Sequence, residues 1–167
     1  MDDLVGFDEL IRCCDTTARN LQGNQLAQAV KKGAKIVQRA ITSVAPEDTG
    51  TLKSGLILIK EKSRVRGKAV YQVAPSARMN AVFQKPIINP IRSKSGHAYY
   101  PASQEYGYFT RRLGGGMTYV RSDGSAATMN KVPGKYYMRT GADAAGEMAK
   151  ETIARSILDA VAKDFGG

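Results

Sequence analysis

The stretch APEDTGTLKSG, residues 45–55, contains Asp48-Thr49-Gly50, the triplet with which aspartic proteases present a catalytic carboxylate. Two such aspartates share one proton across a dimer axis, because carboxylates about 3 Å apart do not both ionise. A single triplet in 167 residues would make this chain half of a homodimeric protease with Asp48 as catalyst. Its surroundings argue otherwise. In such proteases the triplet follows a buried strand, whereas here it follows a helical pattern, Pro46 and Glu47. A charge directly before the aspartate would disturb a shared-proton site, and no glycine-bearing apolar strand follows to support the loop. Asp48 and Thr49 are good turn and capping residues, and Gly50 permits a positive φ. The triplet therefore reads as a corner. Asp48→Ala is expected to cost about 1 kcal/mol, the usual loss of a cap.

The remaining chemistry-bearing residues are sparse. Cys13 and Cys14 are adjacent, a poor geometry for bridging to each other, and no second pair completes a zinc site. His97 is the sole histidine. Gly114-Gly115-Gly116 lacks the strand-then-helix setting of a dinucleotide loop, and Gly134-Lys135 lacks both the earlier glycine and the following Ser or Thr of a P-loop. Glu105 sits among Tyr99, Tyr100, Tyr106 and Tyr108 without a partner acid, base or metal ligand, which is weak ground for catalysis. The expectation is a protein that is not an enzyme and needs neither metal nor cofactor.

The elements that position these residues form a single α+β domain spanning 1–167. Residues 4–19 read as a short amphipathic helix with Leu4, Phe7, Leu10 and Ile11 on one face. Gly23-Asn24 interrupts it. A stronger helix runs to about Ser43, with Leu26, Val30, Ala34, Val37, Ile41 and Val44 as its apolar stripe. Pro46 stops it. LILIKEKSRV and GKAVYQVAP are β-rich, and Arg64-Val65-Arg66-Gly67 suits the hairpin loop between them. Lys60, Lys62 and Arg64 alternate with Ile59, Glu61 and Ser63, so the cations are expected to form a row on one strand face. Residues 76–98 and 110–135 read as irregular, with a hairpin around Gly114-Gly115-Gly116 in the second. The chain closes on a long helix from about Ala142 to Phe165, with Ala145, Met148, Ala149, Ile153, Ile157, Ala160 and Val161 as an apolar stripe for the core or for contact with another subunit. The architecture expected is a small antiparallel sheet packed on a long N-terminal-half helix and a long C-terminal helix, with two extended loops.

Charge is unevenly placed. Between Lys60 and Arg139 fifteen Lys or Arg stand against Glu61, Glu105 and Asp123, a net of +12; the rest of the chain carries −2 of the total +10. Such a concentration suits a polyanion or an acidic protein partner. No run approaches the roughly 18 apolar residues of a membrane span, and the opening MDDLVGFDEL is acidic where a signal peptide is basic and apolar. A protein made and used inside the cell is expected, with no membrane partner.

The order of pieces resembles the tail-completion and neck family of long-tailed double-stranded DNA bacteriophages. Ala45, Pro46, Asp48, Thr49, Gly50, Leu52 and Ser54 match that family's link from long helix to first strand. Tyr100 and Glu105-Tyr106-Gly107 resemble its tyrosine and Glu-aromatic-Gly element, and Tyr137-Met138-Arg139-Thr140-Gly141-Ala142 resembles, more loosely, its entry to the C-terminal helix. Gly141 stands where the family usually has a bulkier residue. The resemblance implies a structural virion protein, assembled in the host cytoplasm as a ring, most simply a hexamer, at the head-proximal end of the tail. Its partners would be copies of itself and the neighbouring neck, head-closure and tail-tube or tail-terminator proteins. A basic lumen would touch the genome without reading sequence. Lys60, Lys62, Arg64, Arg66 and Lys68 are the first candidates for that DNA-facing or partner-facing surface, with Arg111, Arg112 and Arg121 second; Pro46, Asp48, Thr49, Gly50, Leu52 and Ser54 form the structural corner. The competing reading is a free, basic nucleic-acid-binding module.

Overall fold

The computed structural model describes residues 3–47, 49–86, 96–110, 117–120 and 126–165. Helix α1 (Asp3–Asn20) passes through a widened turn at Leu21–Gln25 into α2 (Leu26–Val44). The break falls where the sequence places it, at Gly23, whose backbone (φ −110°, ψ −124°) is not helical. A short helix α3 (Thr51–Ser54) leads to the antiparallel pair β1 (Leu56–Lys60) and β2 (Tyr71–Pro75), in register from Leu56 opposite Pro75 to Lys60 opposite Tyr71. A 3₁₀ turn (Ala77–Met79), α4 (Asn80–Phe83) and the paired strands β3 (Gln84–Pro86) and β4 (His97–Tyr99) follow. Helix α5 (Tyr100–Tyr106) runs into β5 (Gly107–Thr110), then β6 (Met117–Val120), β7 (Ala126–Pro133) and the 29-residue α6 (Tyr137–Phe165). The class is α+β, with two long helices and small antiparallel sheets.

Helices α2 and α6 form the main contact of the molecule, and small residues make it close. Ala29, Gly33 and Ile41 of α2 are buried against Gly141, Ala145 and Ala149 of α6. A Cβ on Gly33 would lie 2.6 Å from Ile153 Cδ1, and one on Gly141 would lie 2.5 Å from Ile41 Cα. Gly141 has a steric reason to be glycine: the α2 backbone occupies the space a side chain would need. The apolar stripe expected on α2 is rotated by this seam. Ala29, Gly33, Ile41 and then Ala45 face inward, while Val44 is 45% exposed. On α6, Ala145 and Ala149 are buried as expected, but Met148 is 61% exposed.

The apolar core sits at one end of this helix pair, where Ile41, Ala45, Leu52, Leu56, Phe83 and Tyr137 close on one another. Burying a side chain of this size contributes about 1.5–3 kcal/mol each. Phe83, fully buried, belongs to the segment 76–98 that the sequence presented as irregular; it meets Tyr99 edge-on at 6.0 Å. Short helices and the β3–β4 pair thus occupy the described part of that segment. In 110–135 the sheet has the order β5-β7-β6: β7 pairs with β6 along its first half and with β5 along its second. The hairpin arms are therefore β6 and β7, and Gly114-Gly115-Gly116 lie outside the described residues.

Candidate assembly surface

The corner after α2 is built from the residues that the sequence singled out. Ala45 turns extended and its N–H still donates to Ile41 O (2.9 Å), closing α2 before Pro46. Gly50 takes φ +71°, the left-handed conformation that glycine adopts without steric cost, and opens α3. Ser54 N–H donates to Gly50 O (3.0 Å), Ser54 Oγ to Thr51 O (3.1 Å), and the Thr49 and Thr51 hydroxyls lie 2.7 Å apart. Leu52 drops into the core, and Lys53 pairs with Glu47 at 2.5 Å. Asp48 lies outside the described residues, but the triplet joins two helices and does not end a buried strand. This is the setting of a corner rather than of a shared-proton dyad.

The corner fixes the origin of β1 and hence of the basic loop. Gln38 Nε2 donates to Leu56 O (2.9 Å), holding the strand on α2, and Ser76 N–H donates to Gly55 O (2.7 Å). β1 ends at Lys60, so the cations do not form a row on a strand face. Lys62, Arg64, Arg66 and Lys68 stand on a ten-residue connection, 61–70, and all are exposed, as is Lys60. The reason is that pairing stops early: after Glu61 N–H donates to Val70 O (3.0 Å), the chain leaves the ladder. The loop is nonetheless ordered by its own bonds. The Ser63 hydroxyl accepts from Val65 N–H (3.1 Å) and lies 3.2 Å from Val65 O; Gly67 N–H donates to Gln22 O (3.3 Å), docking the loop on the α1–α2 junction. Glu61 accepts from Gln72, so its carboxylate is engaged beside the sheet. Among the described residues none of the five cations has an acidic partner within the chain. Arg111, Arg112 and Arg121 lie outside the described residues.

A second construction, at the start of α6, carries the Glu-aromatic-Gly element. Glu105 is 6% exposed, and its carboxylate accepts from the backbone N–H groups of Met138 (2.8 Å) and Arg139 (3.4 Å). It satisfies two of the otherwise unpaired donors at the helix N-terminus and places negative charge at the positive end of the dipole. This cap explains why α6 begins at Tyr137 rather than near Ala142. Gly107, at φ +85°, lets the chain turn from α5 into β5 directly against Val132 O, where a Cβ would collide. Tyr106 between them is 67% exposed. Tyr136 adopts φ +48°, uncommon for a non-glycine residue. Its N–H donates to Glu105 O (3.1 Å), and the Arg139 guanidinium lies 5.6 Å from its ring centre. The role of Glu105 is thus structural, and its signal was present in the motif but not its target, which lies 33 residues on.

The Tyr137 phenol is enclosed without a hydrogen-bond partner, and its pKa is pushed well above the usual value, chiefly by burial and then by the Glu105 carboxylate. An apolar groove of about 340 Å³ between α2, β2 and α6 is lined by Ala34, Val37, Ile41, Tyr71, Val73, Met138 and Ala142, and offers no acid–base pair. Among the described residues no group of three or more His, Cys, Asp or Glu side chains is placed to hold a metal ion, and no helix is long and apolar enough to cross a membrane.

No curated protein and no solved structure matches the chain. A family model does, over residues 8–107, which takes in the corner, the basic loop and Glu105-Tyr106-Gly107 but stops before α6. That model is described as "Bacteriophage HK97-gp10, putative tail-component". It covers more than half of the chain and agrees with the resemblance to phage tail-completion and neck proteins, and the chain belongs to this HK97-gp10-like family of tail components of the virion.

Proposed function

We propose that this protein is a structural component of the phage neck that completes the tail and joins it to the DNA-filled head, working as a ring, most simply a hexamer, at the head-proximal end of the tail. The observation that carries the proposal is the family match over residues 8–107, which makes the protein a tail component and includes the only ordered, unpaired cationic loop among the described residues. A ring subunit needs a rigid body and projecting segments that meet neighbours. Here α2 and α6 supply the body, and 61–70 is an exposed connection anchored at Gly67 to the α1–α2 junction. The partners are copies of this chain, the head-closure protein above and the tail-tube or tail-terminator protein below. Genome DNA in the lumen makes at most sequence-independent phosphate contacts. On this reading no reaction is catalysed, and Asp48 belongs to the corner. The test is position in the particle: a gold-labelled tag on this chain should mark the head–tail junction of intact virions. Label along the tail shaft or at its tip would overturn the neck assignment.

A further inference from the structure

Helix α1 and the basic loop each expose an apolar residue beside charge, of opposite sign in the two. On α1, Leu10 and Ile11 are 51% and 46% exposed, although the sequence gives the helix an apolar stripe there; its buried side is instead Thr17, with Cys13 half-buried against the end of α6. Ile11 and Asp15, four residues apart, share an exposed face by helical spacing. Between Asp3 and Asp15 the helix has Asp3, Asp8, Glu9 and Asp15 against Arg12 alone, a net of −3. The loop is its complement. Lys60, Lys62, Arg64, Arg66 and Lys68 against Glu61 give +4 over residues 60–68, and Val65, 65% exposed, stands between two guanidiniums.

An apolar centre with an arginine rim is the anatomy of a protein interface; a phosphate-tracking surface needs no valine at its tip. One copy does not bring the two together. The loop is bonded at Gly67 to Gln22, and Ile11 lies eleven residues back along α1, roughly 16 Å at 1.5 Å per residue. We infer that the 61–70 loop of one copy docks on the α1 face of a second copy, Val65 against Leu10 and Ile11, Arg64 and Arg66 toward Asp15. Different patches meet in this contact, so it propagates head to tail and closes a ring when the rotation permits. The inference rests on the ring reading above and names the surfaces that make it.

The test uses the full-length protein in sedimentation velocity at low and high salt, with Arg64→Glu/Arg66→Glu as one variant and Asp15→Arg as the other. Each variant alone should associate at least about tenfold more weakly than wild type, because like charges then face each other. An equimolar mixture of the two should recover wild-type association, since each acidic loop then meets the reversed helix position and each basic loop meets Asp15. Circular dichroism and melting unchanged from wild type confirm that both variants fold. The proposal is overturned if wild-type association is unaffected by either reversal, if the mixture does not recover, or if the wild type stays monomeric at millimolar concentration. It is equally overturned if Arg64→Glu/Arg66→Glu abolishes duplex DNA binding while self-association persists, which would make the loop a phosphate-facing surface. Rings that persist despite both reversals leave the ring reading standing and remove only this contact.

Discussion

Glu105 caps a helix that begins 32 residues further along the chain: its carboxylate accepts a 2.8 Å hydrogen bond from the backbone N–H of Met138 and a longer one from that of Arg139. The carboxylate is nearly enclosed, so removing it strands two donors at the start of α6 without water to replace it. Glu105→Ala should therefore cost about 2 kcal/mol, and Glu105→Gln, which keeps one acceptor, less. Urea unfolding at constant slope measures both. Equal stability of all three proteins would remove the cap from the account of α6.

Two glycines on α6 should respond in opposite ways to the same change. A Cβ on Gly141 would strike the backbone of Ile41, whereas one on Gly146 meets nothing within 4 Å. Gly141→Ala should lose about 1–3 kcal/mol by forcing the helices apart. Gly146→Ala should gain about 0.5–1 kcal/mol from helix propensity alone. Thermal melting of the pair reads the α2–α6 seam directly.

Much of this architecture was legible locally. The helix break at Gly23, the stop at Pro46 and the left-handed Gly50 follow from residue type at a single position, and the β1–β2 pairing follows from composition. What the sequence hid depends on partners far along the chain. Glu105 looked like a lone carboxylate because its ligands are backbone groups of another helix. Phe83 looked like part of a loop because its neighbours are Gly55 and Tyr99. Large apolar residues dominate the periodicity of α2 and point one step away from the seam, which is made of Ala29, Gly33, Gly141, Ala145 and Ala149. Alternation of charge persists past Lys60, where strand pairing does not, so the sequence suggests a strand face for cations that stand on a loop.

Tyr137 sets a prediction for alkaline pH. Burial, and secondly the Glu105 carboxylate, raise its pKa in the fold, while the unfolded chain keeps the ordinary value of about 10. The neutral phenol is favoured in the fold, so this contribution to stability is complete below about pH 10 and is lost as pH rises toward the folded value. Tyr137→Phe should make the alkaline loss shallower while changing stability at pH 7 by no more than about 1 kcal/mol, because the hydroxyl has no partner within the protein. Tyr99, raised by burial alone, leaves a residual slope. An unchanged alkaline profile in Tyr137→Phe would contradict this.

If the chain lines a ring around the genome, as proposed, isolated protein should bind duplex DNA weakly and without sequence preference, with affinity falling steeply as salt rises, because such a ring would confine DNA by geometry more than by affinity. Fluorescence anisotropy with unrelated duplexes measures this. Sub-nanomolar binding of one sequence at physiological salt would favour a free DNA-binding module over a virion component.

Electron microscopy of lysates from a phage lacking this gene tests whether the chain sits at the head–tail joint. DNA-filled heads should then lie beside full-length, unattached tails, with joined particles restored when the gene is supplied in trans. Normally joined, infectious particles in the absence of the gene would contradict that position.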